Sequence, residues 1–164
     1  VSNRYVLDVE EEEDLPWLTG MTGPVPDYTA VYRWNSALQI ALARLPEDRE
    51  ILHNGVRTWH AEYSCWDPER GCRWTVLVNQ PERGEWVEMP TLSGSLFDNE
   101  APAATRPLVN KPVLDWMVII HPAPSRPNHL IQALSTAGKP VPLPPTLLRK
   151  LALELDSSPP HETH

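Results

Sequence analysis

Few residues in this chain are of a type that could do chemistry, and their spacing argues against most of them. His60-Ala61-Glu62 is a His-x-Glu element, in which an imidazole can bind zinc while the glutamate moves protons. That chemistry also needs a Pro-Cys-x-x-Cys element downstream, and Cys65 and Cys72 do not supply one. His53, His60, Cys65 and Cys72 carry the right atoms for tetrahedral zinc. Structural zinc sites, however, place paired ligands about two to four residues apart on a tight knuckle, and none of these pairs is so spaced. Neither a metal nor a cofactor is therefore expected. Cys65 and Cys72 flank a predicted hairpin loop on one face. If directly opposed they could form a disulfide or a redox switch. The plainer reading is two small buried residues beside Trp59 and Trp74.

Nucleophilic catalysis fares no better. Thr91-Leu92-Ser93-Gly94-Ser95 only superficially resembles a strained nucleophile elbow, and the seven glycines never cluster as a phosphate loop. Asp115 and His121 bracket an apolar strand. With His60 and Glu62 they are the candidates for lining a pocket between sheet and helices, in a small enzyme or ligand-binding protein. No set of residues passes even an outline catalytic checklist, so the sequence leans away from an enzyme.

Contact surfaces are the alternative use of these residues. Seven tryptophans are present. Trp59, Trp74, Trp86 and Trp116 fall on predicted strands, where packing is their ordinary role. Trp17 and Trp66 fall in predicted loops and are candidates for touching a partner. Glu11, Glu12 and Glu13, inside the run Glu10 to Asp14, could engage a basic partner. Arg149 and Lys150 on the last helix are further candidates for touching a partner.

The elements that must position these residues follow from periodicity. Arg4 to Val9 reads as a strand and Leu15 to Pro26 as a loop. Asp27 is placed to cap a helix from Tyr28 to Arg44, because Val31, Trp34, Leu38, Ala41 and Leu45 recur at helical steps. Val56 to Cys65 and Cys72 to Asn79 alternate about a polar turn, which predicts a β-hairpin. Trp59, Ala61, Tyr63 and Cys65 then share a face with Cys72, Trp74, Val76 and Val78. Glu85 to Met89 continues the meander, and 90–112 is a long proline-bearing connection. Val113 to His121 is a central strand. Helices follow at Arg126 to Ala137, with Ser125 as cap and Gly138 as stop, and at Pro145 to Leu155. The predicted fold is α+β: a single antiparallel sheet, a meander of about four to five strands, with one helix from the N-terminal half and two C-terminal helices packed on it. Residues 1–156 form one domain, and 157–164 a frayed tail.

Composition sets the outer limits. The 164 residues carry 22 acidic and 14 basic side chains, for a net charge of −8. Such a chain repels phosphate backbones, which disfavours nucleic acid. A small exception rests on Arg126, Lys139, Arg149 and Lys150 in the mildly basic C-terminal helices. No apolar run is long enough to span a membrane, and the sequence begins without a secretory pattern. The cysteines are expected to stay reduced in a cytoplasmic setting. Arginine outnumbers lysine eleven to three, as in proteins of GC-rich bacteria. The expectation is a non-enzymatic bacterial or phage protein-interaction module, regulatory or adaptor-like, whose partner is another protein.

Overall fold

A computed structural model describes residues 15–53, 55–87 and 107–157. The expected strand at 4–9, the acidic run 10–14, positions 88–106 and 158–164 lie outside the described residues. The elements are β1 (Trp17–Thr22), α1 (Asp27–Leu38), β2 (Ala43–Arg44), β3 (Arg49–His53), β4 (Val56–His60), β5 (Glu62–Asp67), β6 (Cys72–Val78), β7 (Arg83–Trp86), β8 (Trp116–His121), α2 (Pro127–Leu134), β9 (Lys139–Val141) and α3 (Pro145–Ser157).

The predicted hairpin is present as β5 and β6, with Cys65 opposite Trp74 and Asp67 opposite Cys72. Its arms do not end there. Beyond Ala61 the first arm continues backwards as β4, and beyond Asn79 the second continues as β7. These two pair with each other, and β4 pairs on its other edge with β3, in a separate sheet of order β3-β4-β7, while the main sheet runs β2-β5-β6-β8-β1-β9. The expected single sheet of about four to five strands is thus corrected to two antiparallel sheets of six and three strands. The hairpin bends because its partners change at the joint. Val78 N donates to Ala61 O at 3.0 Å, Asn79 N turns away to Asp115 O at 2.9 Å, and Glu82 N picks up Trp59 O at 2.8 Å.

An ion pair holds the joint. Arg49, on β3, donates through Nε to Glu62 Oε1 at 3.1 Å, and its Nη2 also contacts that oxygen. Glu62 is buried, on β5. A buried carboxylate survives only if paired, so this contact ties the small sheet to the large one.

The main sheet separates two cores. On one face Trp74, Val76, Trp116, Val118 and Ile120 meet α1 through Val31, Trp34 and Leu38, and α2 through Leu130 and Leu134. On the other, Leu18, Leu77, Met117 and Ile119 meet Leu151 of α3 and the segment bearing Val109 and Leu114. The two C-terminal helices therefore lie on opposite faces rather than together. The strand β9 between them, paired with β1, carries the chain from one face to the other.

Buried indole N–H groups need acceptors, and three of them here secure an element, whereas Trp86 Nε1 is buried without a partner among the described residues. Trp34 donates to Leu134 O at 2.8 Å, joining α1 to α2. Trp116 donates to Asp27 Oδ1 at 2.6 Å, joining β8 to the start of α1. Trp74 donates to Asp67 Oδ2 at 3.1 Å, bracing the hairpin turn. Trp34 and Trp116 also meet edge to face, centroids 5.4 Å apart. Asp27 consequently does not cap α1, whose N-cap is Pro26.

Helix α1 stops earlier than its periodicity predicts. Gln39 takes a left-handed conformation, φ 56°. Asn35 then grips Leu42 twice, accepting from its N at 2.7 Å and donating to its O at 3.0 Å. Ala41 and Leu45 belong to the exit path and not to the helical face, with Leu45 N donating to Glu62 O at 2.8 Å. Helix α2 starts at Pro127 after Arg126, without a side-chain cap, so Ser125 does not serve as one. It also ends before Gly138, which serves a different purpose: a Cβ there would lie 2.2 Å from Thr22 O.

Two stability outcomes follow. Arg49→Met leaves Glu62 buried and unpaired and should cost about 3–5 kcal/mol by urea unfolding, while adding Glu62→Leu should recover most of the loss. Gly138→Ala forces Cβ into the β1 backbone and should cost about 1–3 kcal/mol in the same assay.

Candidate contact face and adjoining cavity

Strand alternation decides which side chains the hairpin leaves outside. With Cys72, Trp74 and Val76 in the core, Arg73 and Thr75 must point to the other face, as must Ser64 and Trp66 on β5. The register sets Trp66 beside Arg73, and Arg73 beside His121 of β8. Three adjacent strands thus carry an aromatic, a guanidinium and an imidazole in one row. Behind it stands a second row, Ser64, Thr75 and Ile119. The core under α3 takes in Ile119 but not the first row, whose three side chains are exposed. Trp66 is 55% accessible, a high value for an indole on a central sheet. Arg73 donates only a long bond to Ser64 Oγ, 3.4 Å, and makes no ion pair among the described residues.

The turn behind this row is rigidly built. Asp67 Oδ1 accepts from Glu69 N at 3.1 Å and Arg70 N at 3.2 Å. Its Oδ2 accepts from Arg70 Nη1 at 2.7 Å as well as from Trp74. Burial opposes its charge, but the bonds from Arg70 and Trp74 outweigh that and hold its carboxyl below the ordinary range.

At the other end of β8 lies a cavity of about 380 Å3, lined by Asp27, Asn79, Gln80, Asn110, Asp115 and apolar side chains including Val25 and Leu114. Asp115 Oδ2 accepts from Thr22 Oγ1 at 2.8 Å and Gly23 N at 3.0 Å. Asn79 clamps the 107–114 segment: Nδ2 donates to Val109 O and Leu114 O, each at 2.9 Å, and Oδ1 accepts from Val109 N at 2.7 Å.

The four pocket candidates are dispersed. Of them, only Asp115 lines this cavity. Glu62 is at the sheet joint with Arg49. His60 is fully buried there, bonded to Val78 O through Nδ1 and to Thr58 Oγ1 through Nε2, both at 2.8 Å. Since a carbonyl only accepts, Nδ1 carries the proton and Nε2 accepts from the threonine. His121 stands at the far end of β8 from Asp115, about 20 Å of strand away, in the exposed row.

The remaining candidates also find places. Trp66 is on a strand rather than in a loop, and is exposed. Trp17 is on β1, half-buried against the core. Arg149 and Lys150 are exposed on α3. Glu11, Glu12 and Glu13 lie outside the described residues. Cys65 and Cys72 are free thiols and are not cross-strand partners: Cys65 faces Trp74 and Cys72 faces Asp67, so they stand on a diagonal. Burial pushes both thiols up. His53 closes β3, while His60 has both ring nitrogens committed. Among the described residues no cluster of three or more histidine, cysteine or acidic side chains is placed to hold a metal ion.

Arg73, the centre of the exposed row, was not singled out from sequence. The signal was available: in the alternation of β6, Arg73 is the charged member of the face opposite Trp74. Asp67 and Asn79 gave no such signal, since only tertiary neighbours reveal a buried clamp.

Comparison with protein-family models, with curated proteins and with solved structures gives no match.

Two measurements bear on these assignments. Burial of neutral His60 lowers its pKa from 6.5, so its contribution to stability is full above that value and is lost as pH falls below it. The depressed Asp67 adds a further loss as pH falls through and below 3.8. The urea midpoint should therefore decline in two stages on acidification, with the upper stage absent in His60→Gln. At neutral pH both cysteines should react with iodoacetamide far more slowly in the folded chain than in urea.

Proposed function

We propose that this chain is a non-enzymatic protein-interaction module, regulatory or adaptor-like, and that it engages an acidic, extended segment of a partner protein across the Trp66–Arg73–His121 row. One observation carries the reading: an indole, a guanidinium and an imidazole stand side by side on adjacent strands, exposed and free of acidic neighbours in either of the two rows. Tryptophan and arginine are the residues most enriched among energetic anchors of protein interfaces. Pre-set on a sheet, they lose little conformational freedom on binding. Arg149 and Lys150 are exposed on α3, the helix packed on this same side of the sheet, and extend the basic character.

An acidic protein segment suits this row better than nucleic acid does. The basic side chains that could contact phosphate are divided, with Arg126 leading α2 on one face and Arg149 and Lys150 on α3 across the sheet. The net charge of −8 opposes a polyanion the size of a nucleic acid more than it opposes one short segment.

The test is affinity capture from bacterial extract by the native chain, by Trp66→Ala, by Arg73→Glu and by the control Tyr28→Ala, which alters an exposed residue on α1. A captured protein should carry an acidic segment, should be lost with the first two variants and kept by the third, and should elute with salt. A Trp66→Ala loss of about 2 kcal/mol, roughly 30-fold in affinity, is expected for an anchor. Capture indifferent to Trp66 and Arg73, or recovery of nucleic acid instead, would sink the proposal.

A further inference from the structure

The two basic members of the exposed row differ in what they can donate, and together they select among acidic ligands. Arg73 Nη1 donates its long bond, 3.4 Å, to Ser64 Oγ, a hydroxyl that itself donates to Trp74 O at 3.0 Å. The other edge of the guanidinium, Nε with Nη2, has no acceptor among the described residues. Such an edge grips two oxygens of one acid in a planar fork. His121 is exposed and has no hydrogen bond or ion pair among the described residues. An imidazole carries an N–H in either protonation state, so it adds a further donor. The register sets Arg73 directly opposite His121, which places their Cβ atoms about 4.5–5.5 Å apart.

A carboxylate meets only part of this demand. The fork takes both of its oxygens and leaves none for His121. A second carboxylate on the same side of an extended segment stands about 6.6–6.8 Å away, wider than the gap between the two basic side chains. A phosphate monoester has three terminal oxygens on one phosphorus and a charge of about −1.5 to −2 at pH 7. Two oxygens fill the Arg73 fork and the third accepts from His121. No acidic side chain stands in either row to repel the dianion.

Trp66 separates a phosphorylated chain from a free phosphate ion. It stands on the side of Arg73 away from His121, and its indole is 55% accessible. A phosphate held between Arg73 and His121 leaves that ring bare. A side chain next to the phosphorylated residue can cover it.

We propose that the acidic group recognised on this face is a phosphate monoester on the extended segment of the partner protein, held between Arg73 and His121, with a neighbouring apolar side chain of the segment on Trp66. The proposal rests on the contact-face reading given above and names its ligand. Phosphorylation of the partner then turns engagement on.

Short peptides test this, acetylated and amidated, with one central position followed by leucine and flanked by alanines. The central residue is phosphoserine, glutamate or serine, and inorganic phosphate is the fourth probe. NMR follows the Trp66 indole and the His121 ring of the full chain. The phosphoserine form should shift both signals and bind at least about tenfold more tightly than the glutamate form. Arg73→Gln should abolish binding of both. His121→Leu should weaken the phosphoserine form and leave the glutamate form unchanged, because only the phosphate has an oxygen to spare for that side chain. Equal affinity for phosphoserine and glutamate, a preference that survives His121→Leu, or inorganic phosphate binding as tightly as the phosphopeptide overturns the proposal. The two readings fail separately. A glutamate peptide that matches the phosphopeptide, with Trp66-dependent capture, removes the phosphate and leaves the acidic contact face. No peptide binding together with Trp66-independent capture removes both.

Discussion

The contact between Arg49 and Glu62 determines how the two sheets of this protein meet. Glu62 begins β5 in the main sheet and is almost wholly inaccessible, and Arg49 begins β3 in the small one. Its second carboxylate oxygen has no hydrogen-bond partner among the described residues, so the guanidinium is the principal compensation for burying the charge. Around it the strand changes sheets at Ala61, His60 is sealed in as the neutral tautomer, and Leu45 N closes on Glu62 O.

A second group of polar contacts repeats the logic elsewhere. Asp67, Asn79 and Asp27 are acceptors or clamps for groups that the cores would otherwise strand: an indole N–H, the carbonyls of Val109 and Leu114, another indole N–H. Low local dielectric makes such bonds strong and their absence expensive, so they specify one arrangement where apolar packing alone would tolerate several. Trp59 has a related role on the small sheet, where the Arg83 guanidinium stacks 3.9 Å from its ring centroid.

The exposed row is a by-product of this construction. The helices α1 and α2 take one face of the main sheet, and α3 with the 107–114 segment takes part of the other. The corner at β5, β6 and β8 is left with Trp66, Arg73 and His121. Sheet corners carrying large aromatic and cationic side chains are unusual on a surface and well suited to recognition.

Several features were legible from residues alone. Alternation specified the hairpin and its inward set Cys72, Trp74 and Val76, because period two leaves no freedom once Trp74 faces inward, but it did not reveal that His60, Glu62 and Leu77 of the opposite parity are buried as well, or that Trp59 belongs to the small sheet. The apolar run ending at His121 specified a central strand, and the steps Val31, Trp34, Leu38 specified the buried stripe of α1. Short or polar strands gave no comparable signal: β1 contains two threonines and a glycine, β9 contains a proline, and β3 mixes charge with apolar residues. These exist because a neighbouring ladder offers their backbone groups partners, not because their side chains prefer an extended chain. Periodicity also carried α1 too far, since Ala41 and Leu45 keep helical spacing while the Asn35 side chain redirects the backbone. What only tertiary structure decided was the company each residue keeps. His60, Glu62, Asp115 and His121 share chemistry but were parted, while Trp66, Arg73 and His121, from different stretches of chain, were brought into one row. Local patterns encode which way a side chain points; the order of strands, set by long-range hydrogen bonds and buried charge, decides what stands beside it.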